Sequence, residues 1–355
     1  GLKYALTILN VGRAISIPAI CLGMAKQAWQ PTLDRANQRI TFQKPLSERQ
    51  TQRMRMGRMA TNLFAMEALA FAVWRMADQH MYDVRIEAAI AKIFCSEITI
   101  QFLKDAQTIF GGMGYETAES KRVRGEPAFG IEQLVRDAEM YRIGEGATDI
   151  LRPFVAREGL SPHLERAQRY VNGGVNRGER LVELLKLGRF YVPWYMSLWL
   201  RRALPDTTEF RHPRVAHLLG YVERSSRDLA RAIFWAMVRH GEQLRDDQGR
   251  QNRIETVGED LLTITTSALW ASSQEHANAD GQVWELVEHF AAGASLRIDR
   301  AIDELRGRNK DQKVATIGQQ AVGGDYEWLS HGIIPRGLRD YLPVAVGGHH
   351  RHLAG

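Results

Sequence analysis

Between residues 48 and 110 the apolar side chains recur every three or four positions, and this spacing limits the fold more than any other feature. Met54, Met56, Met59, Leu63, Met66, Leu69, Ala70 and Val73 mark one stripe. Ile86, Ala89, Ile90, Ile93, Phe94, Ile98 and Phe102 mark a second. This is the period of an α-helix buried along one face. The methionines suit a core, where a flexible thioether fills irregular gaps. Strand-like alternation is hard to find anywhere. Helices are expected over 48–78, 84–110, 130–142 and 147–158. An earlier one is expected over 2–30, where Leu2, Leu6 and Leu9, then Ile17, Ile20 and Met24, keep the spacing, and Pro18 is placed to bend or restart it. The expected fold class is all-α: an antiparallel helical bundle over 1–158, then a second helical domain over 179–355. Residues 159–178, polar and glycine-rich around Gly173 and Gly174, read as a linker. Helices of the second domain are expected near 179–188, 193–203, 213–244, 254–275, 281–307 and 311–322. Asp246-Asp247-Gln248-Gly249 and Asn278-Ala279-Asp280-Gly281 serve as turns.

A chain of 355 residues has room for two or three domains, and 45% hydrophobic residues give it a core. No apolar run reaches the roughly 18–20 residues that span a bilayer. No signal peptide stands at the start, and a first residue of Gly1 reads as that of a fragment or processed piece. Lys and Arg outnumber Asp and Glu 47 to 41, a net charge of +6 that favours anionic partners such as nucleotides, CoA phosphates and acidic membranes. No zinc-finger spacing or basic stripe with interleaved aromatics points to nucleic acid. Two cysteines, Cys21 and Cys95, make no disulfide framework and read as buried thiols. His349, His350 and His352 stand close together in the tail without further ligands, so no metal site is expected.

The chemistry concentrates between Gln107 and Arg157. A helix-like run breaks at Gln107-Thr108-Ile109-Phe110-Gly111-Gly112-Met113-Gly114-Tyr115. Later come Arg136-Asp137 and Ile143-Gly144-Glu145-Gly146-Ala147-Thr148-Asp149-Ile150. On the residues alone, Glu145 is a carboxylate at a helix start, where the helix dipole favours it. The two segments in this order resemble the C-terminal part of the flavin-dependent acyl-CoA dehydrogenases, most of all the very-long-chain type. The resemblance implies that Glu145 is the base that removes a proton beside a thioester carbonyl, while a hydride passes to FAD. Its backbone amide would bond the thioester oxygen, an oxyanion-type contact, and Gly144 and Gly146 would border the substrate.

Leu9-Asn10-Val11-Gly12-Arg13 matches the very-long-chain type and offers no carboxylate as a rival base. By resemblance Asn10 and Arg13 lie near the substrate's CoA portion. Arg39-Ile40-Thr41-Phe42 resembles a loop whose arginine reaches the flavin pyrophosphate of a neighbouring subunit, and arginine suits phosphate through paired hydrogen bonds. Gln107, Gly111 and Gly112 match a turn that holds the dinucleotide's adenosine end. Ala147, Thr148 and Asp149 fall on further cofactor contacts. Three departures stand out. Gly144 replaces an aromatic, Ala147 replaces a threonine, and Gln43 follows Phe42 where the family has glycine. The loop between Tyr115 and Ile131, with Lys121, Arg122 and Arg124, is longer than the family leads one to expect.

The resemblance implies an acyl-CoA substrate of long or very long chain, FAD, an electron-transfer flavoprotein or similar acceptor, and a homodimer or higher oligomer. It also implies flavin- and substrate-holding domains upstream, without which the active site is incomplete. Residues 189–202, aromatics and leucines bracketed by arginines, suit either a membrane-interface helix or a packed core or subunit interface. The expected location is cytoplasmic or inner-membrane-associated in a bacterium, or the mitochondrial inner membrane in a eukaryote. A non-catalytic scaffold on the same fold and an oxidase-like enzyme are the alternatives.

Overall fold

The structure, a computed structural model, describes residues 8–79, 83–171, 177–199, 212–274, 281–307 and 309–332. Its first helix, α1 (Ile17–Gln38), follows a widened π-type turn at Gly12–Ser16. Pro18 does not break the helix, because it directly follows the π-type turn, where the backbone ladder is already shifted and Ile17 N–H bonds Gly12 O. A two-stranded antiparallel hairpin follows, β1 (Ile40–Thr41) with β2 (Lys44–Pro45), which the sequence reading missed. Then come α2 (Gln50–Gln79) and α3 (Arg85–Phe110), on the two apolar stripes. Met59 and Met66 are buried as expected, whereas Met54 faces out at 59% exposure.

The long loop after Tyr115 is preceded by a short helix, α4 (Gly112–Tyr115), and contains another, α5 (Ala118–Val123). Lys121, buried, donates to Met113 O at 2.8 Å and Phe129 O at 2.6 Å and so ties the loop's two ends together. Arg124 pairs with Glu116 and, at 2.9 Å, with Glu126. Next come α6 (Ile131–Ile143) and α7 (Thr148–Val171).

Helix α7 corrects the expected linker: residues 159–171 continue its helix. Gly173 and Gly174 lie outside the described residues, as do Leu2, Leu6, the tail histidines and the expected turn at 278–280. Two expected helices, 179–188 and 193–203, are one, α8 (Arg177–Ser197), running through Pro193. There follow α9 (Pro213–His240), a 3-10 turn (Gly241–Arg245), α10 (Gln248–Gln274) and α11 (Gln282–Leu305).

Residues Gly1–Arg308 form one compact unit rather than two. Its axis is α3, whose sixteen buried residues meet α1, α2, α6 and α7. The later helices close on the same core. Phe71 of α2 stacks on Trp270 of α10 at 5.1 Å, and Phe94 of α3 meets Phe290 of α11 edge-on at 5.9 Å. Aromatic pairs of this kind add about 0.5–1.5 kcal/mol beyond area burial. Asn309–Gly355 is a separate unit; its described part is α12 (Asp311–Val322), with no buried residue, and a 3-10 turn (Glu327–Ser330).

One helix, Ile8–Gln38, is long and apolar enough to cross a membrane by length and composition, contrary to expectation, and 44% of its apolar window is buried. It packs along α3 as a core helix. In α8, Tyr191, Trp194 and Tyr195 are half-buried among His163, Phe234 and Trp235. Val192, Met196 and Trp199 remain exposed.

Candidate active site

The widened turn at Gly12–Ser16 is the floor of the site. Such π-type turns interrupt an α-helix at some cost and often mark functional positions. Arg13 leaves this turn half-buried, and its Nε donates to the backbone oxygen of Glu145 at 2.7 Å. Its Nη1 lies 3.4 Å from Asn10 Oδ1. Burial pulls the guanidinium down from its usual range, and Glu145 opposes that shift. Arg13 thus links Asn10, three positions before it, to Glu145, 132 positions after it.

Glu145 sits in the turn between α6 and α7. Gly144 ends α6, its N–H bonded to Met140 O at 2.9 Å. Glu145 itself has φ of 55° and Gly146 of 111°. A non-glycine residue in the left-handed region costs about 1–2 kcal/mol, so the surroundings must hold it there. The carboxylate lies over Gly12: a Cβ on Gly12 would overlap it. Glu145 Oε2 is buried and has no hydrogen-bond partner. A carboxylate serving as a helix N-terminal charge would face α7's first amides; this one faces Gly12.

Underneath, Lys92 of α3 is fully buried and donates to Arg142 O at 2.9 Å and Gly146 O at 2.8 Å. Beside it, Glu97 Oε1 accepts from Thr148 Oγ1 at 2.9 Å and from Arg142 Nε at 3.0 Å. The Thr148 hydroxyl is therefore committed to Glu97. Ala147 is half-buried and Asp149 exposed in the first turn of α7.

The other expected residues belong to two separate features. Arg39 precedes the hairpin and Phe42 lies in its turn; both are exposed, Phe42 at 93%. Gln107 closes the α3–α4 turn, its Nε2 donating to Gly114 O at 2.9 Å. Gly111 has φ of 65°, and no atom would meet a Cβ on Gly111 or Gly112. Among the described residues no hydrogen bond or ion pair links Arg39, Phe42 or Gln107 to the Glu145 group.

Residues 1–160 match the family described as acyl-CoA dehydrogenase, C-terminal domain. Over these residues the chain is similar to an acyl-CoA dehydrogenase C-terminal domain. A probable acyl-CoA dehydrogenase of Mycobacterium tuberculosis, FadE10, is 36% identical over 336 residues, 94% of this chain and 51% of that protein. The mouse very-long-chain specific acyl-CoA dehydrogenase is 36% identical over 159 residues, 45% of this chain and 23% of that protein. The chain thus spans about half the length of FadE10. The structure of a Bacillus anthracis acyl-CoA dehydrogenase complexed with FAD superposes with a TM-score of 0.63 at 20% identity, covering 90% of this chain and 52% of that one. At that identity the likeness shows the fold, and it reaches past the family domain into the later helices.

Two residues of the site escaped the sequence reading. Gly12 was visible inside the Leu9–Arg13 motif, but its role, making room for a carboxylate, appears only in three dimensions. Lys92 had a fainter signal: it is the one charged residue in the apolar run from Ala88 to Cys95.

Proposed function

We propose that this chain is the base-bearing C-terminal part of an FAD-dependent acyl-CoA dehydrogenase that acts on long or very long acyl chains. The observation that carries the reading is the buried, unpartnered Glu145 Oε2 over Gly12, with the Glu145 backbone held by Arg13. A base needs an unengaged carboxylate kept from bulk water and aimed where a substrate carbon can lie. Glu145 meets the first two conditions and, on this reading, would take the proton from the carbon beside the thioester carbonyl. Bound FAD would supply the oxidation by accepting a hydride from the neighbouring carbon.

The residues fit such a cofactor in distinct ways. The exposed Arg39 guanidinium suits a phosphate, and the open backbone at Gly111 and Gly112 lets a ligand come close. Gln107 shapes that turn through Gly114. Thr148 is held by Glu97, so the first turn of α7 would offer its backbone rather than that hydroxyl. The chain-length reading leans on the mouse very-long-chain relative.

In the longer protein, Glu145→Gln is expected to retain FAD while flavin reduction by acyl-CoA slows by at least ~10²–10⁴-fold. Anaerobic bleaching of the flavin band measures it; a near-normal rate rules out Glu145 as the base. The proposed partners are an electron-transfer flavoprotein or similar acceptor, a second copy of the chain, and an anionic membrane surface. Exposed Val192 and Met196 on α8, and Trp199 in the turn after it, support the last. Co-sedimentation with anionic vesicles should be lost when Trp199 and Val192 become Ser; equal pelleting of variant and wild type removes the membrane contact.

A further inference from the structure

Lys92 is an unusual occupant of its position. Its neighbours along α3, from Ala88 to Cys95, are buried and otherwise uncharged. An ammonium taken out of water is costly unless its hydrogens find acceptors. Burial drives the Lys92 pKa down to about 8, against the pull of Cys21, Glu97 and Glu145. Yet no carboxylate is bonded to it. Both its bonds go to backbone carbonyls, Arg142 O and Gly146 O.

Those two carbonyls bracket Glu145. The first is one of the last four carbonyls of α6, which lack helical donors, and a cation is favoured at that negative end of the helix dipole. The second belongs to Gly146, whose φ of 111° lies outside the range ordinary residues adopt. Between them Glu145 holds its own unfavourable φ of 55°. Arg13 grips the same turn by Glu145 O from the side of the widened turn. The turn is thus pinned at three carbonyls, those of Arg142, Glu145 and Gly146, by two cations from two different elements.

We propose that Lys92 is the positioning residue of this site: by fixing the carbonyls on either side of Glu145, it keeps that residue in the left-handed conformation and its carboxylate over Gly12. The inference rests on Glu145 being the base only for its effect on rate; its effect on the turn stands alone.

The test uses the full-length protein. In Lys92→Met, hydrogen exchange should quicken over residues 142–148, while amides of α3 around 98–106 keep native protection. The kcat for flavin reduction should fall by roughly 10–100-fold with KM for acyl-CoA within about threefold, the pattern of a misplaced group rather than a lost binding contact. Added to Glu145→Gln, Lys92→Met should cause no further loss, because both act through one carboxylate. If Lys92→Met loses protection everywhere, Lys92→Arg, whose larger planar head cannot meet both carbonyls, must show the local loss at 142–148. Unchanged exchange at 142–148 in a folded variant overturns the proposal, as does an additive loss in the double variant. A normal rate in Glu145→Gln alone removes the base assignment but leaves the exchange result valid, so the two failures are distinguishable.

Discussion

Gly12 shows how a residue can act by what it lacks. Its Cα faces the Glu145 carboxylate with no room for a methyl group. Gly12→Ala should therefore leave the helices folded but push the carboxylate aside. A displacement of about 1 Å at a reacting group costs on the order of 10²-fold in rate. Circular dichroism should match the wild type while the flavin-reduction rate drops by about that factor; an unchanged rate would mean that Glu145 does not work from its position over Gly12. At this scale the sequence was informative about side chains with chemistry and silent about those that shape space. Asn10, Arg13 and Glu145 were readable through family motifs and are joined here. Gly12 and Lys92 were present in the same text but work through contacts 133 and 54 positions away, to Glu145 and Gly146, which no local pattern carries.

Among the elements, helix periodicity placed α2, α3 and α6 within two residues of their observed bounds, since one buried face repeats over many turns. It failed where the signal is short or mixed. The hairpin at Ile40–Pro45 has only two residues per strand, too few to alternate. The 159–178 segment is polar and glycine-rich, yet α7 continues to Val171, with Leu160 buried in the core. The hairpin also shows what the departure at Gln43 costs. Its two loop residues, Phe42 and Gln43, have φ of 45° and 65°. Two-residue hairpin turns with both φ positive favour Asn-Gly, and a residue with a Cβ pays for the left-handed region. Arg49 offsets this by donating to Thr41 O and, at 3.1 Å, to Phe42 O, with its guanidinium 5.9 Å from the Phe42 ring centre. Gln43→Gly should accordingly stabilise the protein by up to about 1 kcal/mol, the scale of such relief. A urea midpoint at or below wild type would show that Arg49 already removes the strain.

For the molecule as a whole, the later helices are joined to the site-bearing bundle through a buried group of carboxyls on α10, which composition could not reveal. Glu255 is fully buried and faces Arg152 of α7, Nη1 to Oε2, at 3.2 Å. Glu259 lies one turn on and its carboxyl interacts with that of Glu255. Asp260 is held by Arg297 of α11 through two bonds, 2.6 and 3.1 Å. Burial pushes the Glu255 carboxyl up to about 7, against the pull of Arg152, and burial together with Glu255 raises Glu259 well above its usual range. The sign of the pH dependence follows from linkage. Between about 4.5, where an unfolded glutamate titrates, and about 7, the native state holds a proton that the unfolded chain has released. Stability from this group is therefore full below the lower value, falls as pH rises through the window, and levels off above it. Glu255→Gln keeps the shape and removes the titration. Its urea midpoint should equal or trail wild type at pH 5, exceed it at pH 8, and change less between the two. Parallel curves for variant and wild type would mean that Glu255 carries no excess proton in the native state, and that Arg152 holds it ionised at the junction of α7 and α10.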